Sequence, residues 1–213
     1  MRTDDLIDLL STHVDPVDRH KVSRSILVAV GLGAVAAVAL VFLVFGARQD
    51  LGHADAHAYI GAKLAFSVAV VALSSVYLGR LARPGGERRI SLLVVALPFI
   101  GIMALAGIAL MMAPPSHWDD AVMGDRWLEC LVSIPLIAVV PFAATMWAVR
   151  QHMPTDLRRA GALAGLLAGG LSATGYALHC MDDSVPFVAV WYGATIVLCA
   201  AAGALLGPKL LRW

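Results

Sequence analysis

Six apolar stretches leave this chain few ways to fold: Ile26–Phe45, Tyr59–Leu78, Ile90–Met112, Leu128–Val149, Ala160–Leu178 and Phe187–Leu206. Each is close to the ~20 residues a helix needs to cross ~30 Å of hydrocarbon. Over such a length in lipid, only a helix satisfies its own backbone polar groups. Water is excluded as the solvent on the same ground, because 60% of the 213 residues are hydrophobic and 15% charged. That is more apolar surface than a soluble domain of this size hides. The expectation is an all-α polytopic membrane protein. Six transmembrane helices occupy residues 25–213, and a short amphipathic helix lies within a cytoplasmic segment, residues 1–24. The first stretch exceeds the ~7–15 residues of a signal-peptide core and reads as a retained helix.

Charge sets the orientation. Thirteen of the sixteen Lys and Arg residues fall on one side of the expected membrane, in the N-terminal segment, the second and fourth connections and the C-terminus. The opposite side carries Arg48 and Arg126 and is rich in Asp50, Asp55, Asp119, Asp120, Asp125, Glu129, Asp182 and Asp183. The basic side is therefore predicted to be cytoplasmic, with both termini there, as in a bacterial inner-membrane protein. Lys63, the one basic residue inside a span, lies near the outer end of the second helix and is expected to snorkel to the interface.

Gly161, Gly165 and Gly169 recur at four-residue spacing in the fifth span, and Gly203 and Gly207 repeat it in the sixth. Small residues on one face let helices approach closely. Packing within one monomer is the plainer use, and a homo-oligomer through the fifth span is the alternative. Pro135 and Pro141 are expected to kink the fourth span.

Cys130 opens the fourth span on the outer side, and Cys180 closes the fifth on that side. A short connection makes these spans an antiparallel hairpin, so both thiols lie at one depth, in an oxidising compartment. Two unconnected small residues would give the same pattern. A disulfide or a shared soft metal ion also fits, with His179 beside Cys180 as a further ligand. His53, His57 and His117 fall on the same side, where solvated loop positions are the plainer reading. Cys199 lies about 18 Å deeper, at 1.5 Å per residue, and reads as a buried small hydrophobe. No permanent cofactor is implied, only a transient heavy-metal ion at the outer cysteines.

In residues 1–24, Thr3 can cap a helix whose first turn holds Asp4 and Asp5, favoured by the helix dipole. Leu6, Ile7, Leu9 and Leu10 form its apolar stripe, and Pro16 ends it. One short helix does not fold alone. Its acidic residues disfavour anionic lipid, so a protein partner with a groove and a basic rim suits it. A disordered tail with a nascent helix is the plainer reading. A net charge of +1 and the absence of any nucleic-acid motif give no reason to expect direct nucleic-acid contact. There is no CxxC, no serine-protease motif and no acidic residue at mid-span, Glu129 standing at the outer end of the fourth, so neither an enzyme nor an ion-coupled transporter is indicated. A small exporter of a metal ion or metabolite is the alternative, with only scattered Ser and Thr to line its path.

Several strings together resemble one family. They are Thr3-Asp4-Asp5-Leu6-Ile7, Cys130 followed by Ile134-Pro135, Tyr176-Ala177-Leu178-His179-Cys180-Met181-Asp182-Asp183-Ser184, Trp191-Tyr192 and Gly207-Pro208-Lys209-Leu210-Leu211-Arg212-Trp213. The chain resembles the NrsF family, negative regulators of an extracytoplasmic-function sigma factor. Met181 stands where proline is expected. The resemblance implies a six-helix membrane anti-sigma factor, with no enzymatic activity. Its N-terminal segment, here starting at the Thr3 helix, holds the sigma factor. Its outer cysteines, here Cys130 and Cys180, sense stress such as heavy metals.

Overall fold

A computed structural model describes residues 3, 7, 11–12, 21–46, 48, 54–83, 92–152 and 154–212. Every regular element among them is helical. In chain order these are α1 (Lys21–Val44), α2 (Ala54–Leu81), α3 (Leu92–Met112), the short α4 (Trp118–Met123), α5 (Trp127–Arg150), α6 (Leu157–Tyr176) and α7 (Val185–Leu210). Each predicted apolar stretch falls in one of the six long helices, with ends shifted by a few residues.

Five of these helices are long and apolar enough to cross a membrane, and α6 is not among them. The reason lies in its position. It packs against α1, α2, α5 and α7, and most of its residues from Ala160 to Tyr176 are buried. A helix ringed by others needs no lipid-facing leucines. It needs small residues that let its neighbours close in. The outer helices show the reverse pattern, with Leu32, Val35 and Leu43 of α1, Leu93 and Leu97 of α3, and Leu136 and Leu205 exposed.

The glycine stripe is used inside the chain. A methyl group built on Gly161 would lie 2.8 Å from Gly207 Cα, and one on Gly165 would lie 2.9 Å from Ala200 Cα. The backbones of α6 and α7 are thus in direct contact, which leaves this face no room for a second copy. The glycine face of the fifth span is thus taken up by α7 within the chain. On the other side of the bundle Gly33 lets α1 meet Pro141, whose Cβ would be 3.1 Å from a methyl there. The helix α5 runs on through both Pro135 and Pro141.

The start of α7 contains a π-helical turn, Val188–Tyr192. The Thr195 hydroxyl donates to the carbonyls of Trp191 and Tyr192, both at 2.9 Å. Such a turn rotates the side chains it carries relative to the rest of the helix. Here one of them is Tyr192, which is wholly buried.

Candidate functional site

The link between α6 and α7 organises the site. After Tyr176 the chain tightens, with Leu178 N–H bonded to Gly175 O at 3.1 Å and Cys180 N–H to Tyr176 O at 3.0 Å. Ser184 then caps α7 by accepting from Phe187 N–H, and its hydroxyl donates to Ala121 O in α4. Between these ends the Asp182 carboxylate accepts from Arg126 N–H at 2.9 Å. Arg126 precedes α5, so a residue two beyond Cys180 fixes the helix end that carries Cys130. Gly124 makes the turn into α5 at φ +57, and a side chain there would also strike the Phe187 ring.

Cys130 and Cys180 meet as a result. Their sulfurs are 3.9 Å apart, and both residues are wholly buried. A disulfide needs about 2.05 Å, so these are two free thiols. Two thiolates on one tetrahedral ion with bonds of about 2.3 Å sit about 3.8 Å apart. The pair is therefore already spaced to chelate one thiophilic ion. Tyr176 and Tyr192 stand beside it, their rings 6.4 Å apart. Both hydroxyls are buried and find no hydrogen-bond partner among the described residues. They are donors available to a sulfur anion. The Cys130 thiol beside it, helped by the Lys63 ammonium and a backbone N–H at Asp182, outweighs burial and holds the Cys180 thiol down to about 6. The pair therefore loses its first proton below the ordinary thiol range.

Behind Cys180 lies a buried charge cluster that sequence reasoning missed. The Asp183 carboxylate takes a bidentate pair from Arg48, at 2.9 and 2.7 Å, and a third contact from Lys63 Nζ at 2.7 Å. The two cations also converge on the Cys180 carbonyl oxygen, Lys63 at 3.0 Å and Arg48 at 3.1 Å. Burial pushes the Asp183 carboxyl up, but the Arg48 and Lys63 donors outweigh it and hold it below the usual carboxylate range. Lys63 does not snorkel. It is 0% exposed, and its ammonium also lies 5.7 Å from the Tyr192 ring centre. The sequence signals were present but weak: a lone lysine in a span, a lone arginine on the acid-rich side, and a carboxylate three residues past the cysteine.

The remaining expectations divide. His179 Nδ1–H donates to Gly46 O at 3.1 Å, and its ring packs between Phe45 and Tyr176. Among the described residues no three His, Cys, Asp or Glu side chains form a preformed metal-binding group. Cys199 is buried in a separate small cluster with Ala138 and Ala168. Thr3 and Ile7 are helical and exposed, whereas Asp4, Asp5, Leu6, Leu9 and Leu10 lie outside the described residues, as does His53.

The fold and site define a bundle of apolar helices built around a buried thiol pair backed by ion pairs. The chain belongs to the NrsF family, negative regulators of sigma F, whose model matches residues 10–213. It is 34% identical over 213 residues to a probable anti-sigma-F factor of Azospira oryzae, covering 100% of both chains. It is 34% identical over 215 residues to the anti-sigma-F factor of Caulobacter vibrioides, again covering 100% of both. No solved structure matches the chain at a significant level.

Proposed function

We propose that this chain is an inner-membrane anti-sigma factor with six transmembrane helices and both termini in the cytoplasm. It sequesters an extracytoplasmic-function sigma factor through residues 1–24, with the stripe Leu6, Ile7, Leu9 and Leu10 as anchor. It releases that factor when the periplasmic pair Cys130 and Cys180 captures a thiophilic metal ion or is oxidised. The observation that carries this reading is the pair itself: two free, buried thiols 3.9 Å apart on different elements. A structural role would be served by any two small apolar residues.

Both chemistries balance at this site. Ion capture replaces two S–H bonds by two metal–sulfur bonds and sends two protons to water. Oxidation by a peroxide breaks two S–H bonds and the O–O bond and forms one S–S bond; the peroxide takes up the two electrons and two protons and leaves as water and an alcohol, or as two waters. Closing to a disulfide moves the sulfurs about 1.9 Å together, whereas an ion must be fitted between two wholly buried side chains and displaces what surrounds them. A near-complete flip between retaining and releasing states needs about 5.5 kcal/mol of discrimination. Formation of a metal or covalent link is of that order.

The test is a sigma-dependent reporter, with and without cadmium, in wild type, Cys130→Ser, Cys180→Ser and the double variant. All three variants should stay repressed and fail to respond. Normal induction in either single variant contradicts the paired sensor. Orientation is checked separately: a periplasm-dependent reporter should be active after Asp120 or Asp183 and silent after Gly86 or Trp213.

A further inference from the structure

Segment 178–183 is bonded in two directions. Toward α5 it holds Arg126 through Asp182. Toward the first two helices it makes a denser set of contacts. Arg48 N–H donates to Leu178 O at 3.2 Å, and His179 donates to Gly46 O. Arg48 and Lys63 both reach Cys180 O and Asp183. Gly46 and Arg48 follow the end of α1, and Lys63 belongs to α2. The opposite end of α1 is Lys21, where residues 1–24 join it. A 24-residue helix is a rod of about 36 Å. Whatever holds its Gly46 end therefore sets the position of the sigma-binding end.

We propose that Arg48, Asp183 and Lys63 form a latch by which the thiol pair holds α1 and α2 in the retaining geometry. Breaking it is the step that carries the signal inward. The inference rests on the anti-sigma reading above and names the residues that transmit it. The chemistry favours a two-state device. One carboxylate serves two buried cations, and the Cys180 carbonyl bonds both. A shift of the Cys180 backbone thus disturbs all these bonds together. Cations deprived of buried partners do not settle part-way; they move to where water or another acceptor meets them. Lys63 and Arg48 are latch residues and not metal ligands, since their nitrogens already donate to Asp183 and the Cys180 carbonyl. Their role is positioning, distinct from that of the thiols.

The test separates the latch from the sensor. Asp183→Asn removes the shared charge and should raise the sigma-dependent reporter without inducer by about tenfold or more, as expected when a buried ion pair loses one partner. The rise should persist in the Cys130→Ser, Cys180→Ser background, where no thiol chemistry is left. Purified Asp183→Asn protein should still show the thiolate-to-cadmium absorption band, which a collapsed bundle would lose. Lys63→Met should release in the same direction, and Lys63→Arg, which keeps the charge, should restore repression. Wild-type repression and full cadmium induction in Asp183→Asn would overturn the latch and leave the thiol sensor standing. If Asp183→Asn fails to reach the membrane, the same outcome in Lys63→Met overturns it. Normal cadmium induction in either single serine variant would instead overturn the sensor reading.

Discussion

The spacing of the thiols makes a quantitative claim about cadmium. With the sulfurs 3.9 Å apart, both thiols can reach one ion, and each should contribute as a ligand. Structural four-ligand sites release about 10–16 kcal/mol, or about 3 kcal/mol per ligand. Replacing one thiol by a serine hydroxyl should therefore weaken binding by about 100-fold, at 1.4 kcal/mol per tenfold. One remaining sulfur no longer chelates, so the double variant should bind little worse than either single. Cys199→Ser should bind as wild type, because Cys199 packs in its own cluster with Ala138 and Ala168. The assay is a titration of the purified protein in micelles against a competing chelator, following the thiolate-to-metal band. Additive losses in the double variant, or an equal loss from Cys199→Ser, would refute the two-sulfur site.

Other consequences follow from separate features. Gly165→Leu drives a side chain into the α7 backbone and should cost at least the ~1–3 kcal/mol of overpacking, lowering the thermal-inactivation midpoint in micelles. Gly31→Ala, with nothing within 4 Å, should not. Leu6→Asp or Leu9→Asp should abolish sigma-factor retention at a cost of ~2–4 kcal/mol while leaving membrane insertion intact; retention by both variants in a membrane pull-down would move the docking site elsewhere. Cys180 is held at about 6 against an ordinary 9.0, so the folded chain carries fewer protons than the unfolded chain between those values. Its stability should then rise with pH across that window and fall as pH drops toward 6. Thiolate absorbance should appear near pH 6 and be missing in Cys180→Ser.

The parts of this architecture legible in the sequence are those that lipid or local spacing dictates. Apolar length revealed the long helices, and the four-residue glycine spacing marked a close helix approach, which the structure makes between α6 and α7. The hairpin of two spans placed Cys130 and Cys180 at one depth. Lys63 was visible as a lone charge, but its environment was not. Its partner Asp183 is 120 residues away in sequence, and no local pattern sets the register of α2 against the α6–α7 link. A lysine at a helix end reads as snorkelling unless that register is known. Tyr192 was hidden for a related reason: the π-helical turn that carries it breaks the 3.6-residue periodicity on which face assignments rest. His179 adjoins Cys180 in sequence, yet its Nδ1 faces Gly46 O, because adjacency along a turn does not imply a shared direction.

The central claim is that the thiol pair governs retention of a sigma factor at the membrane. The most direct measurement is fractionation of a tagged sigma factor from cells expressing this chain, before and after a brief cadmium pulse. With wild-type protein the factor should move from the membrane to the soluble fraction. With Cys130→Ser, Cys180→Ser it should stay at the membrane throughout. A factor that never associates with the membrane, or that leaves it equally in both strains, would contradict the account.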